Sequence, residues 1–502
     1  MRDVEEQAAV KPALDPAAPR GEIETAPVLV VDLDGTLCRS DTLHETLIAI
    51  LASRPLAAAR LMGRLRQGKA AFKAAVGDLC ILPPEALPLN ETVLDLIRKA
   101  KAEGRRTALV SATDHRQVVA IAEALDLFDE AVGTGSPLTD GRNLSGPAKA
   151  DFLVERYGRG GFDYIGDAAV DRPVWIAARR AITAGGDERL RRIAEDANAE
   201  FQHIDPAAEM PGRLRPRLRA LRPHQWSKNL LVFAPLAAAQ DFSEIGAVIA
   251  AFIAFSLTAS SVYLINDLVD LPADRVHPRK RRRPFAAGEV PVLEGVLSAV
   301  GLILGALLIA LVFAPVVLMG MLAAYYVATL AYSFLLKRKL VIDVLALAGL
   351  YTIRIITGAV VASLVLSPWL LGFSMFLFLA LAAVKRQAEL TDQLRQGKAK
   401  TAGRAYETDD LPILRSMALS AGYASVLVFA LYINSDTVSK LYGQPELLWC
   451  VCPLLIYWIS RIVMVTHRGH MTDDPIVFAA TDRVSYVVAA LCATIFVVAG
   501  VL

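Results

Sequence analysis

The sequence has few cysteines and little net charge. Its five cysteines (Cys38, Cys80, Cys450, Cys452, Cys492) are odd in number and lack CxxC spacing. This argues against a disulfide framework and fits a reduced or membrane-embedded chain. The net charge of +2 excludes nothing by itself, because the charges are unevenly distributed. Residues 1–24 lack the apolar stretch of a secretory signal, so we expect a disordered tail and a first domain in the cytosol.

Apolar residues, by contrast, are abundant. They make up 54% of the 502 residues, which is high for a soluble enzyme of this length. They concentrate in the second half, so the sequence predicts a soluble domain over 25–205, a basic linker and interfacial segment over 206–228, and a membrane domain over 229–502.

The membrane half contains nine apolar runs close to the ~20 residues that span a bilayer as helix. They cover 229–240 (short), 244–265, 290–313, 315–336, 341–361, 366–385, 412–433, 444–465 and 484–502. Basic residues concentrate in the connections after the second, fourth, sixth and eighth runs, whereas the other side holds only Lys440. The positive-inside rule therefore predicts that the basic connections are cytoplasmic.

An acidic and then basic stretch, "NDLVDLPADRVHPRKRRRP", follows the second run. On a helix, Asn266, Asp267, Asp270 and Asp274 would share one side, where like charges repel unless a cation lies between them. Carboxylates suit Mg²⁺ that bridges to substrate phosphates. Pro272 would interrupt a helix there, which leaves either a restart capped by Asp270 or a kink that aims Asp274 differently.

The basic part of that stretch has two interpretations. Topology alone explains it, or its side chains neutralise further phosphate charge beside the metal. On the second interpretation the candidate substrate-binding residues are Lys280, Arg281 and Arg283.

These features together resemble the UbiA family of intramembrane prenyltransferases. The resemblance rests on "NDLVDLPADRVHPRKRRRP", "YSFLLKRKLVIDV" and the nine spans, and implies an all-α, nine-helix transmembrane bundle. With "RPHQWSKNLLVFAPL" and "LALAAVKRQAEL" it is strongest, over 222–502, to the branch that transfers phosphoribose to decaprenyl phosphate. The implied substrates are phosphoribosyl diphosphate and a polyprenyl phosphate, with Mg²⁺ as cofactor.

One departure from the family pattern distinguishes between substrates. Members that bind a prenyl diphosphate carry a second aspartate-rich motif after the sixth span, where this chain has "KRQAE". Lys385, Arg386 and Glu389 there suit a lipid monophosphate, which favours phosphoribosyl transfer. An aromatic prenyltransferase, or a transporter or scaffold with an attached phosphatase, remains as an alternative.

Further candidates lie at span ends and within one span. Lys228, Tyr332 and Lys337 lie in family motifs, and interfacial anchoring is the alternative for each. For Tyr332 and Lys337 the match to the family motif favours a substrate-facing role. Arg354 lies about 20 Å along its predicted helix, so its charge needs a cavity or a partner. Asp343 is a weaker candidate because a helix N-terminus favours a carboxylate anyway.

The connection before the last span is rich in charge. It contains Arg461, His467, Arg468, Asp473, Asp474 and Asp482. These residues predict either a lid over the site or an ordinary solvated loop.

The soluble half predicts an α/β Rossmann-like domain. Apolar β-branched runs end at Asp32, Ser111 and Asp167, and parallel strands place such ends at one edge of a sheet. Asp32 can act as nucleophile, with Asp34 as acid and base. Ser111 and Lys149 would bind phosphoryl oxygens. The acidic set Asp32, Asp34, Asp167 and Asp171 would hold Mg²⁺.

This set resembles the phosphatases of the haloacid dehalogenase superfamily, with a helical cap over about 43–87. The alternative is a degenerate domain with a purely structural role. We therefore expect a bifunctional, multi-pass enzyme of the bacterial plasma membrane with cytoplasmic sites, in which the membrane domain transfers 5-phosphoribose and the soluble domain then removes its 5-phosphate. No nucleic-acid partner is expected, and the sequence leaves the oligomeric state open.

Overall fold

A computed structural model describes residues 26–139, 141–205, 214–397, 404–435, 438, 441–471 and 474–501. These residues form two compact units. The first comprises the described parts of Met1–Leu43, Ala59–Glu85 and Leu89–Ala208, and the second those of His44–Ala58, Ala86–Pro88 and Glu209–Leu502. The predicted cap, 43–87, is thus divided between the two units. The predicted tail, 1–24, lies outside the described residues.

The first unit contains a six-stranded parallel sheet. Its strands are β1 Val28–Val31, β2 Thr107–Asp114, β3 Glu130–Thr134, β4 Phe162–Gly166, β5 Arg180–Ala184 and β6 Phe201–Ile204. They lie in the order β3-β2-β1-β4-β5-β6. The strands are short apolar runs, and all four residues of β1 are buried, as in a sheet covered on both faces. The sheet confirms the predicted α/β Rossmann-like fold.

Helices connect these strands, and Phe152, Phe162, Tyr164 and Trp175 lie in the core beside the sheet. The helices between strands are Glu91–Ala102, His115–Leu125, Pro147–Tyr157, Arg172–Ala177 and Glu188–Ala197. The predicted cap region contains the helices Thr42–Ser53, Pro55–Leu61, Met62–Gln67, Lys69–Leu79 and Pro84–Ala86.

The second unit contains eight described helices long and apolar enough to cross a membrane. They are Ile245–Val269, Val292–Phe313, Val317–Arg338, Ile342–Val361, Pro368–Arg395, Thr408–Ile433, Pro445–His467 and Arg483–Val501. The predicted short first span is helical but consists of two short pieces, Pro223–Phe233 and Ala234–Ala239. The prediction of nine spans thus becomes eight plus this shorter helical segment.

Short helices also lie in the connections of this unit. They are Leu214–Ala220, Leu271–Val276, Lys280–Arg282 and Pro475–Ala479, while Pro445–Cys450 is the first part of the span Pro445–His467. The acidic stretch is broken at Asp270, which ends Ile245–Val269 and begins Leu271–Val276, with Pro272 in the first turn of the new helix. Of the two geometries that Pro272 allowed, the structure has the helix restart.

Candidate functional sites

The first candidate site lies at the carboxyl edge of the sheet. Asp32 follows β1, Asp167 follows β4, and Asp171 begins the next helix. Each of these carboxylates has an oxygen within 4.8 Å of the others. Three hard oxygen ligands so close together suit Mg²⁺, since without a cation their charges repel. The structure thus brings together three of the four acidic residues predicted there.

Lys149 supplies a cation to this group. Its ammonium lies 2.8 Å from Asp32 Oδ2 and 3.8 Å from Asp171 Oδ1, and it donates to the Tyr164 hydroxyl at 2.8 Å. Burial alone would lower its pKa, but the attraction of these carboxylates outweighs burial and raises it. Lys149 therefore stays protonated and is placed to contact an anion that approaches Asp32.

Asp34 has separate partners. Its two oxygens accept from the Thr42 amide at 2.7 Å and the Thr113 hydroxyl at 2.5 Å, and it is outside the three-carboxylate group. Burial, with a contribution from the charge of Asp41, raises its pKa to about 6. A carboxyl group with that pKa can exchange a proton near neutral pH, which suits an acid and base better than a metal ligand.

Burial and crowding raise the pKa of Asp167 to about 8 and that of Asp171 to about 6. For Asp167 the second cause is repulsion by Asp32. Gly35 makes the close approach of Asp167 possible. Its φ is +77°, and a Cβ there would lie 2.0 Å from Asp167 Oδ2.

Ser111 is buried within the neighbouring strand β2, three residues before its end at Asp114, and its hydroxyl accepts from the Thr113 amide at 3.3 Å. Lys73 was missed by the sequence reasoning. It reaches from the helix Lys69–Leu79 to donate to the Ala112 carbonyl at 2.6 Å and Asn143 Oδ1 at 3.0 Å, directly beside Ser111. A lone lysine on an insert helix carries no sequence signal for such a position.

The second candidate site surrounds the acidic stretch of the membrane domain. Asp267 accepts from Arg222 at 2.5 Å and from Arg283 at 3.1 Å. Arg283 also contacts Asp274, and Lys280 lies 3.8 Å from Asp274. Both carboxylates are buried. Cations thus hold two of the predicted metal ligands, and the stretch forms no group of three close carboxylates within the described residues.

Asp270 and Asn266 face elsewhere. They line a cavity of about 500 Å³ whose wall also includes Lys337 and Arg338. Arg281 is exposed to solvent. The predicted set is therefore split, with Asp267 and Asp274 on arginines and Asn266 and Asp270 on the cavity.

"KRQAE" is also split. Arg386 is 1% exposed and contacts Asp343, Glu389 and the Tyr332 hydroxyl, the last at 2.7 Å. Arg404 donates to Asp343 Oδ1 at 2.9 Å and lies 3.8 Å from Glu389. Two arginines and two carboxylates make this network neutral. The predicted phosphate ligands Arg386 and Glu389 therefore neutralise each other here.

Lys385 points to a different cluster. Its ammonium lies 3.1 Å from Asp474 Oδ2, and the ammonium of Lys228 lies 2.5 Å from the same oxygen. Lys228 and Asp474 are 7% and 6% exposed. Asp474 is thus no solvated loop residue.

Elsewhere in the same connection, Arg461 pairs with Asp482 at 2.7 Å. His467 and Arg468 are exposed, whereas Asp473 lies outside the described residues, as does Lys440.

Arg354 has the partners that its depth in the span requires. It donates to Asn229 Oδ1 at 2.8 Å and to the Tyr325 hydroxyl at 2.9 Å, and its guanidinium lies over the rings of Tyr325 and Tyr351. Its charge has no carboxylate within 4 Å among the described residues. Arg354 thus adds positive potential near Lys228, whose ammonium lies 6.0 Å from the same Tyr351 ring.

Comparison with known proteins identifies both halves. Residues 230–480 match the UbiA prenyltransferase family, and residues 29–175 match the haloacid dehalogenase-like hydrolases. The chain therefore belongs to the UbiA prenyltransferase family and carries an N-terminal haloacid dehalogenase-like phosphatase domain. With eight apolar helices among its described residues, it is a multi-pass membrane protein.

Individual relatives cover different parts of the chain. Uncharacterized protein y4nM of Sinorhizobium fredii is 38% identical over 480 residues, which are 94% of this chain and 90% of that protein. Decaprenyl-phosphate phosphoribosyltransferase of Mycolicibacterium smegmatis is 35% identical over 301 residues, 58% of this chain and 94% of that protein. Nodulation protein NoeC of Azorhizobium caulinodans is 36% identical over 272 residues, 53% of this chain and 88% of that protein.

Proposed function

We propose that the membrane domain transfers 5-phosphoribose from phosphoribosyl diphosphate to a polyprenyl phosphate, and that the phosphatase domain removes the 5-phosphate from the product. The observation that carries the proposal is the 35% identity to a decaprenyl-phosphate phosphoribosyltransferase over 94% of that protein's length. Because the match covers nearly the whole of that protein, it extends far beyond a single motif.

The charges around Asp474 support binding of a lipid monophosphate there, in preference to a second metal-bound diphosphate. Among the described residues, Lys228, Lys385 and Arg354 lie near one carboxylate, Asp474, so this part of the site is positive and does not offer the several acidic ligands that suit Mg²⁺. An aromatic prenyltransferase would instead need two aspartate-rich sites.

In the transfer, an oxygen of the lipid phosphate forms a bond to C1 of the ribose as the bond from C1 to diphosphate breaks. The attacking oxygen is already anionic, so no protein base is needed. Asn266, Asp267, Asp270 and Asp274 would hold Mg²⁺, which neutralises charge on the leaving diphosphate. Arg222 and Arg283, now on carboxylates, are placed to contact diphosphate oxygens.

In the phosphatase step, Asp32 would attack phosphorus while Asp34 gives its proton to the departing C5 oxygen. Asp34 would then take a proton from the water that hydrolyses the aspartyl phosphate. Asp32, Asp167 and Asp171 would hold Mg²⁺, which offsets charge at the phosphoryl group. Lys149 and Ser111 would bind phosphoryl oxygens. A cytoplasmic location for both sites, at the bacterial plasma membrane, would let the tether raise the local concentration of the intermediate.

The test uses purified full-length protein with labelled phosphoribosyl diphosphate and a polyprenyl phosphate. We expect a ribosylated lipid, and Asp267→Asn should abolish it while the exposed Asp241→Asn should not. In Asp32→Asn, transfer should be intact but the lipid product should keep its 5-phosphate. The exposed Asp151→Asn is the control and should release the 5-phosphate as the wild type does. Product formed only from a prenyl diphosphate and an aromatic acid would refute the proposal.

A further inference from the structure

Two lysines from distant parts of the chain meet on one buried carboxylate oxygen. Lys228 belongs to the helix Pro223–Phe233, Lys385 to Pro368–Arg395, and Asp474 precedes Pro475–Ala479. Because both ammonium groups contact Asp474 Oδ2, at 2.5 and 3.1 Å, their nitrogens are less than about 6 Å apart. At that distance a buried and a partly buried cation repel strongly, and the shared carboxylate holds them together.

The other oxygen of Asp474 fixes the carboxylate in place. Oδ1 accepts from the amides of Ile476 at 3.1 Å and Val477 at 3.5 Å, which caps the helix. Ile476 in turn packs against the apolar cluster that contains Tyr351 and Phe378. The carboxylate is thus tied to the helix bundle, and its orientation determines where the ammonium groups lie.

The lysines keep donors for a ligand. Each ammonium has three N–H groups. For both lysines, Asp474 accounts for the side-chain hydrogen bond found within the described residues, so two donors remain on each. Four donors on two fixed nitrogens can bind several oxygens of one tetrahedral anion.

The charge also fits such an anion while Asp474 stays in place. Among the described residues, Lys228, Lys385 and Arg354 contribute three positive charges against one carboxylate, which leaves two. A phosphomonoester carries close to two negative charges at neutral pH. A diphosphate with its metal would need several carboxylate ligands, and the described part of this cluster offers one.

We propose that Asp474 is a positioning residue that preforms a phosphomonoester site on Lys228 and Lys385 and remains bound to both when the lipid phosphate arrives. This inference rests on the proposed function, in which that anion is the acceptor substrate. It assigns the role to a loop carboxylate instead of to Arg386 and Glu389, which are neutralised in their own network.

The test compares Asp474→Asn with Asp482→Asn. Both change an acid to its amide in the same connection, and Asp482 likewise contacts the start of a helix, through the Ser485 amide, but it pairs with Arg461 instead of the lysines. We expect Asp474→Asn to raise the KM for polyprenyl phosphate by at least about tenfold, the effect of losing one strong charge-assisted contact. The KM for phosphoribosyl diphosphate and both constants of Asp482→Asn should stay near wild type.

A pH profile separates positioning from a general loss of structure. Burial and the charge of Lys385 lower the pKa of Lys228 to about 8, against the opposing attraction of Asp474. Arg354 is a further cation nearby, whereas His224, whose pKa burial lowers, is neutral in this pH range. Wild-type affinity for the lipid phosphate should therefore fall as pH rises through about 8. Without the carboxylate the pKa drops further, so in Asp474→Asn this fall should begin at lower pH.

A double variant shows whether Asp474 acts through the lysines. In Lys385→Met the ammonium repulsion is absent, so adding Asp474→Asn should cost much less than it does in wild type. An equal cost in both backgrounds, an unchanged KM, or tighter lipid binding in Asp474→Asn would each overturn the inference. Tighter binding would mean that the carboxylate competes with the phosphate.

Equilibrium binding of a polyprenyl monophosphate to the detergent-solubilised protein separates the two proposals. If the lipid binds in a manner that depends on Asp474 but no phosphoribose is transferred, the proposed reaction is refuted and the inference about Asp474 is supported. Normal transfer with wild-type lipid affinity in Asp474→Asn would do the reverse.

Discussion

Replacing Asp167 by asparagine should stabilise the metal-free phosphatase domain. Asp167 has a pKa of about 8 in the folded protein, against an ordinary value of 3.8, chiefly because of burial and then of repulsion by Asp32. The folded state therefore binds a proton more tightly than the unfolded state. It follows that this carboxyl group makes unfolding easier as pH rises from about 4 to about 8, and that the effect is constant above that range.

The size of the effect follows from the shift. Between its ordinary pKa of 3.8 and pH 7 lie about three pH units over which the unfolded state loses its proton and the folded state keeps it. At roughly 1.4 kcal/mol per unit, the carboxyl group lowers the free energy of unfolding at pH 7 by at most about 4 kcal/mol. Asparagine has nearly the same shape and keeps the hydrogen bond from the Thr36 hydroxyl, which is 3.1 Å long. We therefore expect Asp167→Asn to raise the free energy of unfolding by about 1–4 kcal/mol at pH 7 and by little at pH 4.

Hydrogen exchange of β1 and β4 in the full-length protein measures this free energy locally, with intrinsic rates corrected for pH. Without metal, wild type should lose protection between pH 5 and 8 while Asp167→Asn changes little. Added Mg²⁺ should protect wild type, because binding to the folded state stabilises it, and should protect the variant far less. Asp151→Asn, an exposed change on a neighbouring helix, is the matched control.

Two results would refute the reasoning. Lower protection in metal-free Asp167→Asn would mean that the carboxylate has stabilising partners that outweigh its burial. Equal protection of both proteins by Mg²⁺ would mean that Asp167 is not a ligand, whatever its distance from Asp32 and Asp171.

Two further predictions use pairs of matched positions. Gly358→Ala should destabilise the membrane domain by at least about 2 kcal/mol, because a Cβ there would lie 1.9 Å from the Val232 carbonyl oxygen. Gly349→Ala on the same helix is the control, since a Cβ there meets nothing within 4 Å, and thermal melting in detergent compares the two variants. Lys73→Met should lower the kcat/KM of phosphatase activity by at least about tenfold, because a cation beside the phosphoryl site is lost. The exposed Lys69→Met should leave kcat/KM unchanged. Equal kcat/KM values in the two variants would contradict a role of Lys73 in binding the phosphoryl group.

The grouping of carboxylates at the sheet edge could be predicted from sequence because the strands fix the positions of these residues. In a parallel sheet the carboxyl ends of neighbouring strands meet at one edge, so apolar runs that end at Asp32, Ser111 and Asp167 place these side chains together. The position of Lys73 could not be predicted. It depends on how a helix of the insert packs, and no periodic pattern encodes that.

Helix contacts in the membrane domain were predicted less well, because the ion pairs there join residues far apart in sequence. Arg222 and Asp267 are 45 residues apart, and Lys385 and Asp474 are 89 apart. The sequence located the charged residues but not their partners. Adjacent residues also diverge, because consecutive side chains on a helix point about 100° apart, so Lys385 and Arg386 enter different clusters.

The partners of these charges determine which cluster can take which anion. Among the described residues, Asp343 and Glu389 pair with Arg386 and Arg404 in a neutral network, so the charge of these arginines is already compensated. The cations at Asp267 already contact carboxylates, and an anion that brings its own metal can exchange with them. Lys228 and Lys385 share a single carboxylate and retain donors, which suits an anion without metal. The proposed reaction between a sugar diphosphate and a lipid monophosphate would use one anion site with a metal and one without.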